Sequence, residues 1–175
     1  DSKAQARKKF TTPKSEIKAT IRLRDIDEVD STTARGSFQA VMNNINSSDE
    51  RIYAHVQLRN NRIQYYIGRY DSTGTTEAED YTDYTNDNHK FAETSTANDD
   101  ASVKFAVSIA TSGADIILNV SKTDSSGTVL ETYAEKVITT DSSFDLAIDE
   151  ARLSLLVKLN DDDSNNICII YVNEY

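Results

Sequence analysis

Residues 51–70 read RIYAHVQLRNNRIQYYIGRY, and the prediction of the fold begins from them. Apolar and polar side chains alternate on both sides of Asn60 and Asn61, a pattern that predicts two β-strands joined by a two-residue turn. The turn fixes the register, so facing residues follow by counting outward from it. The predicted pairs on the apolar face are Leu58 with Ile63, Val56 with Tyr65, and Ala54 with Ile67.

The reverse face of this hairpin is polar. Its predicted pairs are Arg59 with Arg62, Gln57 with Gln64, and His55 with Tyr66. Two opposed guanidinium groups destabilise a strand pair unless acidic neighbours or a ligand offset them. Guanidinium groups bind carboxylates through two hydrogen bonds, and aromatic rings offer flat apolar faces to sugar rings. The row therefore favours polysaccharide binding, although an outer strand is also polar wherever it simply meets water.

The candidate ligand-binding residues extend this row with a tyrosine on the same strand and two basic residues on an earlier strand. The full set is Tyr53, His55, Gln57, Arg59, Arg62, Gln64, Tyr66, Lys18 and Arg22. His55 and Tyr66 are also of the right type to act as base and acid in a lyase. Binding and catalysis both remain open at this pair.

The rest of the chain alternates in the same way. About nine to eleven short strands are predicted, among them 15–26, 36–45, 129–138, 141–148 and 152–159, and no helical period lasts longer than two turns. This pattern predicts an all-β protein, either a jelly roll or a concanavalin-like β-sandwich of two antiparallel sheets. Residues 71–100 lack apolar periodicity and are predicted as a long loop. Residues 1–13 are predicted as a mobile basic arm, and residues 14–175 as one domain.

Composition narrows the partners. The chain has 175 residues, a net charge of −10 and a pI near 4.6, so its averaged field repels nucleic acid and anionic membranes. No run of apolar residues is long enough to predict insertion into a membrane. No cofactor is required by any motif. Calcium is the one metal candidate, because Asp80, Asp83 and Asp87, or else Asp161 and Asp163, could offer oxygen ligands, and solvated turns are the alternative.

Three segments carry a family resemblance. Residues 13–18, Pro-Lys-Ser-Glu-Ile-Lys, are similar to the Pro-Arg-Ser-Glu-Leu-Arg strand of the alginate lyases of polysaccharide lyase family 7. Residues 37–64 and 105–120 resemble that family's later strands and hairpins. The resemblance implies a jelly roll that accommodates a uronate polymer, with Lys18 in the place of an arginine of the family.

The catalytic motifs of the family are missing. Val41-Met42-Asn43 stands where the family has Gln-Ile-His, and residues 153–158 contain no tyrosine where the family has a Tyr-Phe-Lys-Ala-Gly-x-Tyr strand. The first hypothesis is thus a secreted or cell-surface domain that binds a polysaccharide without cleaving it. The second is a structural subunit that assembles into homo-oligomers or filaments through its basic arm and exposed strand edges. The third is a lyase with atypical catalytic residues.

Overall fold

A computed structural model describes residues 2–22, 35–58, 62–70, 77–80, 90–93 and 103–157. All regular structure in these ranges is β-strand, and every strand pair is antiparallel. The strands form two sheets, one of seven and one of five strands. Their inner faces share one apolar core, so the predicted β-sandwich of two antiparallel sheets is confirmed.

The seven-stranded sheet carries the hairpin described above. Its path runs β1-β12-β3-β4-β5-β6, and β7 pairs with another part of β5. The strands are β1 (Ser2–Lys14), β3 (Arg35–Asn44), β4 (Ser47–Leu58), β5 (Arg62–Tyr70), β6 (Glu77–Asp80), β7 (Lys90–Glu93) and β12 (Leu146–Val157).

The five-stranded sheet supplies the second layer. Its path runs β10-β9-β8-β2, and β11 pairs with β9. The strands are β2 (Glu16–Ile21), β8 (Val103–Ser112), β9 (Asp115–Asp124), β10 (Val129–Thr132) and β11 (Lys136–Thr139). Gly113, in the turn between β8 and β9, has a φ of 58°, which favours glycine.

The register predicted for the hairpin is confirmed. The observed partners are Leu58 with Ile63, Gln57 with Gln64, Val56 with Tyr65, His55 with Tyr66, and Ala54 with Ile67. Arg59, Asn60 and Asn61 lie outside the described residues. The flanking strands nevertheless keep the alternation that a two-residue connection requires.

The core is built from the inward positions of both sheets. Ile52, Val56 and Ile67 come from the seven-stranded sheet, and Ile21 and Phe105 from the five-stranded one; all five are fully buried. Burying one such side chain contributes about 1.5–3 kcal/mol relative to leaving it in water. The sandwich is therefore stabilised by the period-two pattern that the sequence shows in both layers.

The N-terminal segment differs from its prediction as a mobile arm. Residues 2–14 form β1, which pairs with β12 from Ser2 opposite Val157 to Lys9 opposite Glu150. The register shifts between Lys9 and Lys14, where Pro13 lacks a backbone donor. A strand at the edge of a sheet needs no apolar alternation on its solvent side, which is why the basic sequence gave no strand signal.

Other strand boundaries also differ from those predicted from the sequence. The long loop predicted for residues 71–100 contains β6 and β7, and the single strand predicted for residues 129–138 is divided into β10 and β11. Residues 141–148 and 152–159, predicted as two strands, contribute instead to the single strand β12. The strand predicted at residues 15–26 ends at Ile21 within the described range, and its inward residues Ile17, Ala19 and Ile21 are buried as expected.

A bulge at Asp149 changes the phase of β12. Ile148 faces Met42, but Glu150 faces Val41, so Asp149 is an extra residue in the ladder. Before the bulge the even-numbered residues Leu146 and Ile148 point into the core; beyond it Glu150 points to the other side of the sheet. The bulge thus delivers a carboxylate to the face opposite the core.

The turn after β9 is organised by one carboxylate. Asp124 Oδ1 accepts hydrogen bonds from the backbone N–H groups of Ser126 and Thr128, both at 2.8 Å, and from the Ser126 hydroxyl at 2.6 Å. Gly127 has a φ of 93°, a conformation that side chains rarely adopt. These bonds, first the one from the Ser126 hydroxyl, lower the pKa of Asp124 below its ordinary value.

This turn predicts a pH dependence of stability. Because the pKa of Asp124 is lowered on folding, its stabilising effect is complete above its ordinary pKa of 3.8 and is lost as the pH falls towards the folded value. Thermal denaturation of the wild type and of Asp124→Asn should show a difference in melting temperature at neutral pH that shrinks in strong acid. A difference that stays constant with pH would contradict this role.

Candidate functional site

The side of β4 and β5 that faces away from the core is lined by polar and aromatic side chains. We call this surface, formed by Tyr53, His55, Gln57, Gln64 and Tyr66, the polar face. Its neighbours in register, Ile52, Ala54, Val56, Leu58, Ile63 and Ile67, lie in the core. Because side chains alternate along a strand, the five predicted residues are brought together on the opposite side.

The remaining predicted ligand-binding residues fall elsewhere. Arg59 and the side chain of Arg62 lie outside the described residues. Lys18 projects from β2, whose burial alternates between exposed Glu16 and Lys18 and buried Ile17 and Ala19.

Lys18 therefore belongs to the five-stranded sheet, and Arg22 directly follows the same strand. Placing these two residues with the hairpin row was wrong. The sequence shows that β2 alternates, but it does not show that β2 pairs with β8 in the other layer.

His55 is held by two amides. Its Nδ1 lies 3.2 Å from Gln39 Nε2 and 3.4 Å from Gln57 Nε2. Gln39 stands opposite His55 on β3, and Gln57 is two residues further along β4. Since amide nitrogens only donate, Nδ1 is the acceptor, and Nε2 carries the proton of the neutral ring. The imidazole is thus fixed in one orientation.

The rings of His55 and Tyr66 pack edge to face. Their centroids are 5.0 Å apart and their planes are at 86°. Tyr66 is 7% exposed, and its ring lies along β5 over Gly68. A Cβ at residue 68 would approach Tyr66 Oη to 2.6 Å, so the glycine leaves the room that the phenol occupies. Gly68 is therefore a steric requirement of this arrangement.

An ion pair borders the face on β12. Arg152 Nε donates to Glu150 Oε1 at 2.6 Å, and the Arg152 guanidinium lies 5.1 Å from the centroid of the Tyr53 ring. Desolvation lowers the pKa of Arg152, but Glu150, and then Tyr53, outweigh that effect and raise it. Glu150 itself is 2% exposed. A buried pair of this kind holds its partners in place, because removing either one leaves an uncompensated charge.

A pair of serines extends the polar layer. Ser37 and Ser154 face each other on β3 and β12, and their hydroxyl oxygens are 2.6 Å apart. Both are buried, as is Gln57. Polar groups at this depth are tolerated because they bond to each other. The layer formed by Gln39, Ser37, Glu150, Arg152 and Ser154 supports the polar face and continues it across β3 and β12.

Sequence reasoning missed these five supporting residues. Glu150, Arg152 and Ser154 lie about a hundred residues after β3 and β4, and nothing local identifies β12 as the neighbour of β3. Gln39 could have been found, since it occupies a polar position in an alternating strand next to the hairpin. Strict alternation from Ile148 takes no account of the bulge at Asp149, so it would still have placed Glu150 on the core side of the sheet.

Asp149 also contributes to this side of the sheet. Its Oδ2 accepts a hydrogen bond from Asn43 Nδ2 at 2.8 Å, while Oδ1 is buried without a hydrogen-bond partner among the residues that the structure describes. The bulge thus places two consecutive carboxylates, Asp149 and Glu150, beside β3. They have different environments, since Glu150 is paired with a guanidinium and Asp149 with an amide.

The candidate calcium ligands remain predictions. Asp83, Asp87, Asp161 and Asp163 lie outside the described residues, and so does the side chain of Asp80. Within the described ranges, no group of three His, Cys, Asp or Glu residues is arranged to hold a metal ion. Nor does that part of the chain contain a helix long and apolar enough to cross a membrane.

Comparison with known proteins gives likenesses of fold. No family model and no curated protein matches the chain. It is similar to scytalido-glutamic peptidase solved with a peptide-based transition state analog, with 10% identity, a TM-score of 0.45, and coverage of 97% of this chain and 71% of that chain.

Two further solved structures are similar to the chain. SCP-B, a member of the eqolisin family of peptidases in a complex with the tripeptide Ala-Ile-His, has 10% identity and a TM-score of 0.42 over 97% of this chain and 70% of that chain. The β-fructofuranosidase of Schwanniomyces occidentalis complexed with fructosyl-erythritol has 10% identity and a TM-score of 0.33 over 89% of this chain and 31% of that chain.

The packing of Tyr66 over Gly68 gives a testable prediction. Gly68→Ala should destabilise the protein by about 1–3 kcal/mol, as overpacking does elsewhere, because the new methyl group meets the phenol. The cost should be smaller in a Tyr66→Phe background, which lacks the oxygen that would lie 2.6 Å from that methyl group. Urea denaturation of the four proteins measures the coupling. Equal costs in both backgrounds would show that the ring does not restrict residue 68.

Proposed function

We propose that the chain is a carbohydrate-binding domain that holds a polysaccharide along the polar face without cleaving it. The observation that supports this most is the register of β4 and β5, which sets Tyr53, His55, Gln57, Gln64 and Tyr66 side by side. This proposal places the protein outside the cell or at the cell surface, where polysaccharides of this kind occur.

The chemistry of the polar face suits a hydroxylated polymer. Amide side chains donate and accept at once, as a sugar hydroxyl does, and three of them stand at Gln39, Gln57 and Gln64. Tyr53, which is only partly buried, adds an aromatic ring with a polar end. Five strands, from β1 to β5 in spatial order, give this side of the sheet a width of roughly 19 Å, four strand spacings, which is room for a chain of several sugar rings.

Arg152 points to sugars that carry a carboxylate. Its Nε is used by Glu150, and its planar guanidinium lies over the Tyr53 ring. This guanidinium also has a side-chain hydrogen bond to Tyr53, and the donors that remain on its terminal nitrogens can pair with a carboxylate. A uronate ring stacked near Tyr53 would bring its acid group to this position. We therefore propose a uronate-containing polysaccharide as the ligand.

The engagement of His55 favours binding over cleavage. A lyase base must accept a proton from the sugar carbon, but His55 Nδ1 already accepts from two amides, and the neutral ring carries its proton on Nε2. Tyr66, the matching acid candidate, is buried beneath the edge of that ring. Both side chains are held as parts of a binding surface.

Affinity electrophoresis with alginate, pectate and neutral glucans tests the proposal. The wild type should be retarded by at least one uronate gel, and Tyr53→Ala should weaken retention by roughly tenfold, because the variant loses a ring face and the support of Arg152. Gln57→Ala should weaken it as well. Solutions of the protein with the same polysaccharides, monitored by the absorbance of unsaturated products, should show no cleavage.

Ser108→Ala is the matched control, since Ser108 lies on β8 in the other sheet and pairs with Lys18 and Asn119. It should bind as the wild type does. Absence of retention in every gel, or equal weakening by Ser108→Ala, would overturn the proposal. Unsaturated products that disappear in His55→Ala would replace it with the lyase hypothesis.

A second candidate function, self-assembly, is favoured by β1. This strand has 13 residues, ends the seven-stranded sheet, and is hydrogen-bonded only to β12 among the described strands. A long open edge can add a strand from another molecule. Arg7, Lys8 and Lys9 on this edge would favour an acidic neighbour, which a copy of this chain can supply because its net charge is −10.

Sedimentation velocity across a range of concentrations tests assembly. Lys8→Glu combined with Lys9→Glu should shift the protein towards monomer, because acidic residues on the edge would repel an acidic partner strand. Added salt should have the same effect on the wild type. A wild type that stays monomeric at every concentration would contradict assembly.

A further inference from the structure

A second site lies between the two sheets, where β1 crosses over into β2. A cleft of about 680 Å³ opens there, within the size range of small-molecule sites. It is bordered by the edge strand of each sheet, β1 on one side and β2 on the other. The cleft is therefore a lateral opening of the sandwich, and no claim about the polar face is needed to describe it.

The floor of the cleft is apolar and continuous with the core. Phe38 and Ile17 are buried members of the core cluster, and Phe10 and Leu153 pack against that cluster from the rim. In the β1–β12 ladder, Ala6 faces Leu153 and Ala151 faces Lys8. The two alanines leave space in the cleft where larger side chains would fill the opening. An occupant of this floor must itself be apolar.

The rim of the cleft is cationic. The cationic lining residues are Arg7, Lys8, Lys14, Lys18 and Arg152, the last of them paired with Glu150 outside the lining, and Glu16 is the one acidic residue among the lining residues that the structure describes. Glu16 pairs with Lys18 at 3.0 Å, so the rim keeps an excess of positive charge. This contrasts with a chain whose net charge is −10. A positively charged rim beside an apolar pocket selects for an anionic occupant.

We propose that this cleft binds a free long-chain carboxylate, with the hydrocarbon chain on the apolar floor and the carboxylate at the lysine rim. The occupant must account for both the apolar floor and the cationic rim. A purely apolar ligand would not need the lysines, and a purely anionic ligand would not need an opening to the core. A second copy of this chain that inserted its own β1 at the cleft would bring its lysines against the lysines of this β1. An amphiphile satisfies both halves.

Isothermal titration of the full chain with decanoate, below its micelle concentration and at low salt, tests the site. Decanoate should bind with one site per chain, and decyltrimethylammonium, which has the same chain and the opposite charge, should bind at least tenfold more weakly. Octanoate should bind about fifteenfold more weakly than decanoate, because it lacks two methylenes and each methylene buried contributes roughly a fourfold gain.

Three variants distinguish the contacts to the carboxylate from the contacts to the hydrocarbon chain. Lys14→Gln combined with Lys18→Gln should weaken decanoate binding by about threefold to tenfold, as expected for two exposed charge contacts, and should reduce its salt dependence. Lys122→Gln combined with Lys136→Gln makes the same change in net charge on β9 and β11, away from the cleft, and should leave the affinity unchanged. Ala6→Phe should fill the opening and abolish binding.

Several results would overturn the proposal. These are no heat of binding with the wild type, equal binding of the cationic amphiphile, or equal weakening by both lysine pairs. Tighter binding of an acidic peptide than of decanoate would assign the cleft to a peptide instead. Thermal denaturation of each variant shows whether it is folded, and the lysine variants, which change exposed side chains, keep the test valid if Ala6→Phe does not fold. Polysaccharide retention is measured separately, so failure here leaves the polar face untouched.

Discussion

The register between β4 and β5 determines which of their side chains enter the core and which form the polar face. A shift by one residue would turn one of the two strands over relative to the other; if β4 turned, His55 and Gln57 would enter the core and Val56 would leave it. The core therefore enforces the polar face: the free energy gained by burying the apolar set holds the polar set in line. The same pairing continues into β3, which aligns Gln39 with His55. The core and the polar face are thus fixed by one set of backbone hydrogen bonds.

The support for that face comes from distant parts of the chain. β12 contributes the Glu150–Arg152 pair and the serine that meets Ser37. These contacts are shielded from water, which makes them more sensitive to geometry than surface pairs are. Tyr53 connects the two regions, since its ring belongs to β4 and lies beneath the guanidinium of β12. The polar side chains consequently form a layer that is packed much like a core, although it lies on the opposite side of the sheet.

Sequence reasoning succeeded where contacts are local and failed where they are not. The hairpin pairs, the buried positions of β2 and the two-sheet architecture follow from alternation within single segments. The strand β1 was missed because an edge strand with lysines has no apolar signature. Lys18 was assigned to the wrong layer because alternation tells which way a side chain points relative to its own strand, but not which sheet receives the strand. The role of Glu150 depended on a bulge that no local pattern announces.

The same bulge gives the chain one position at which its length can vary. Asp149 is the residue added to a ladder that is otherwise continuous from Ile148 opposite Met42 to Glu150 opposite Val41. Deleting it would remove the bulge and the hydrogen bond to Asn43 but leave Glu150 opposite Val41, whereas pairing Asp149 itself with Val41 would turn Glu150 towards Ala40 and carry a charge into the hydrocarbon interior. Natural variants should therefore differ in the identity or the presence of this residue while Glu150 stays opposite Val41.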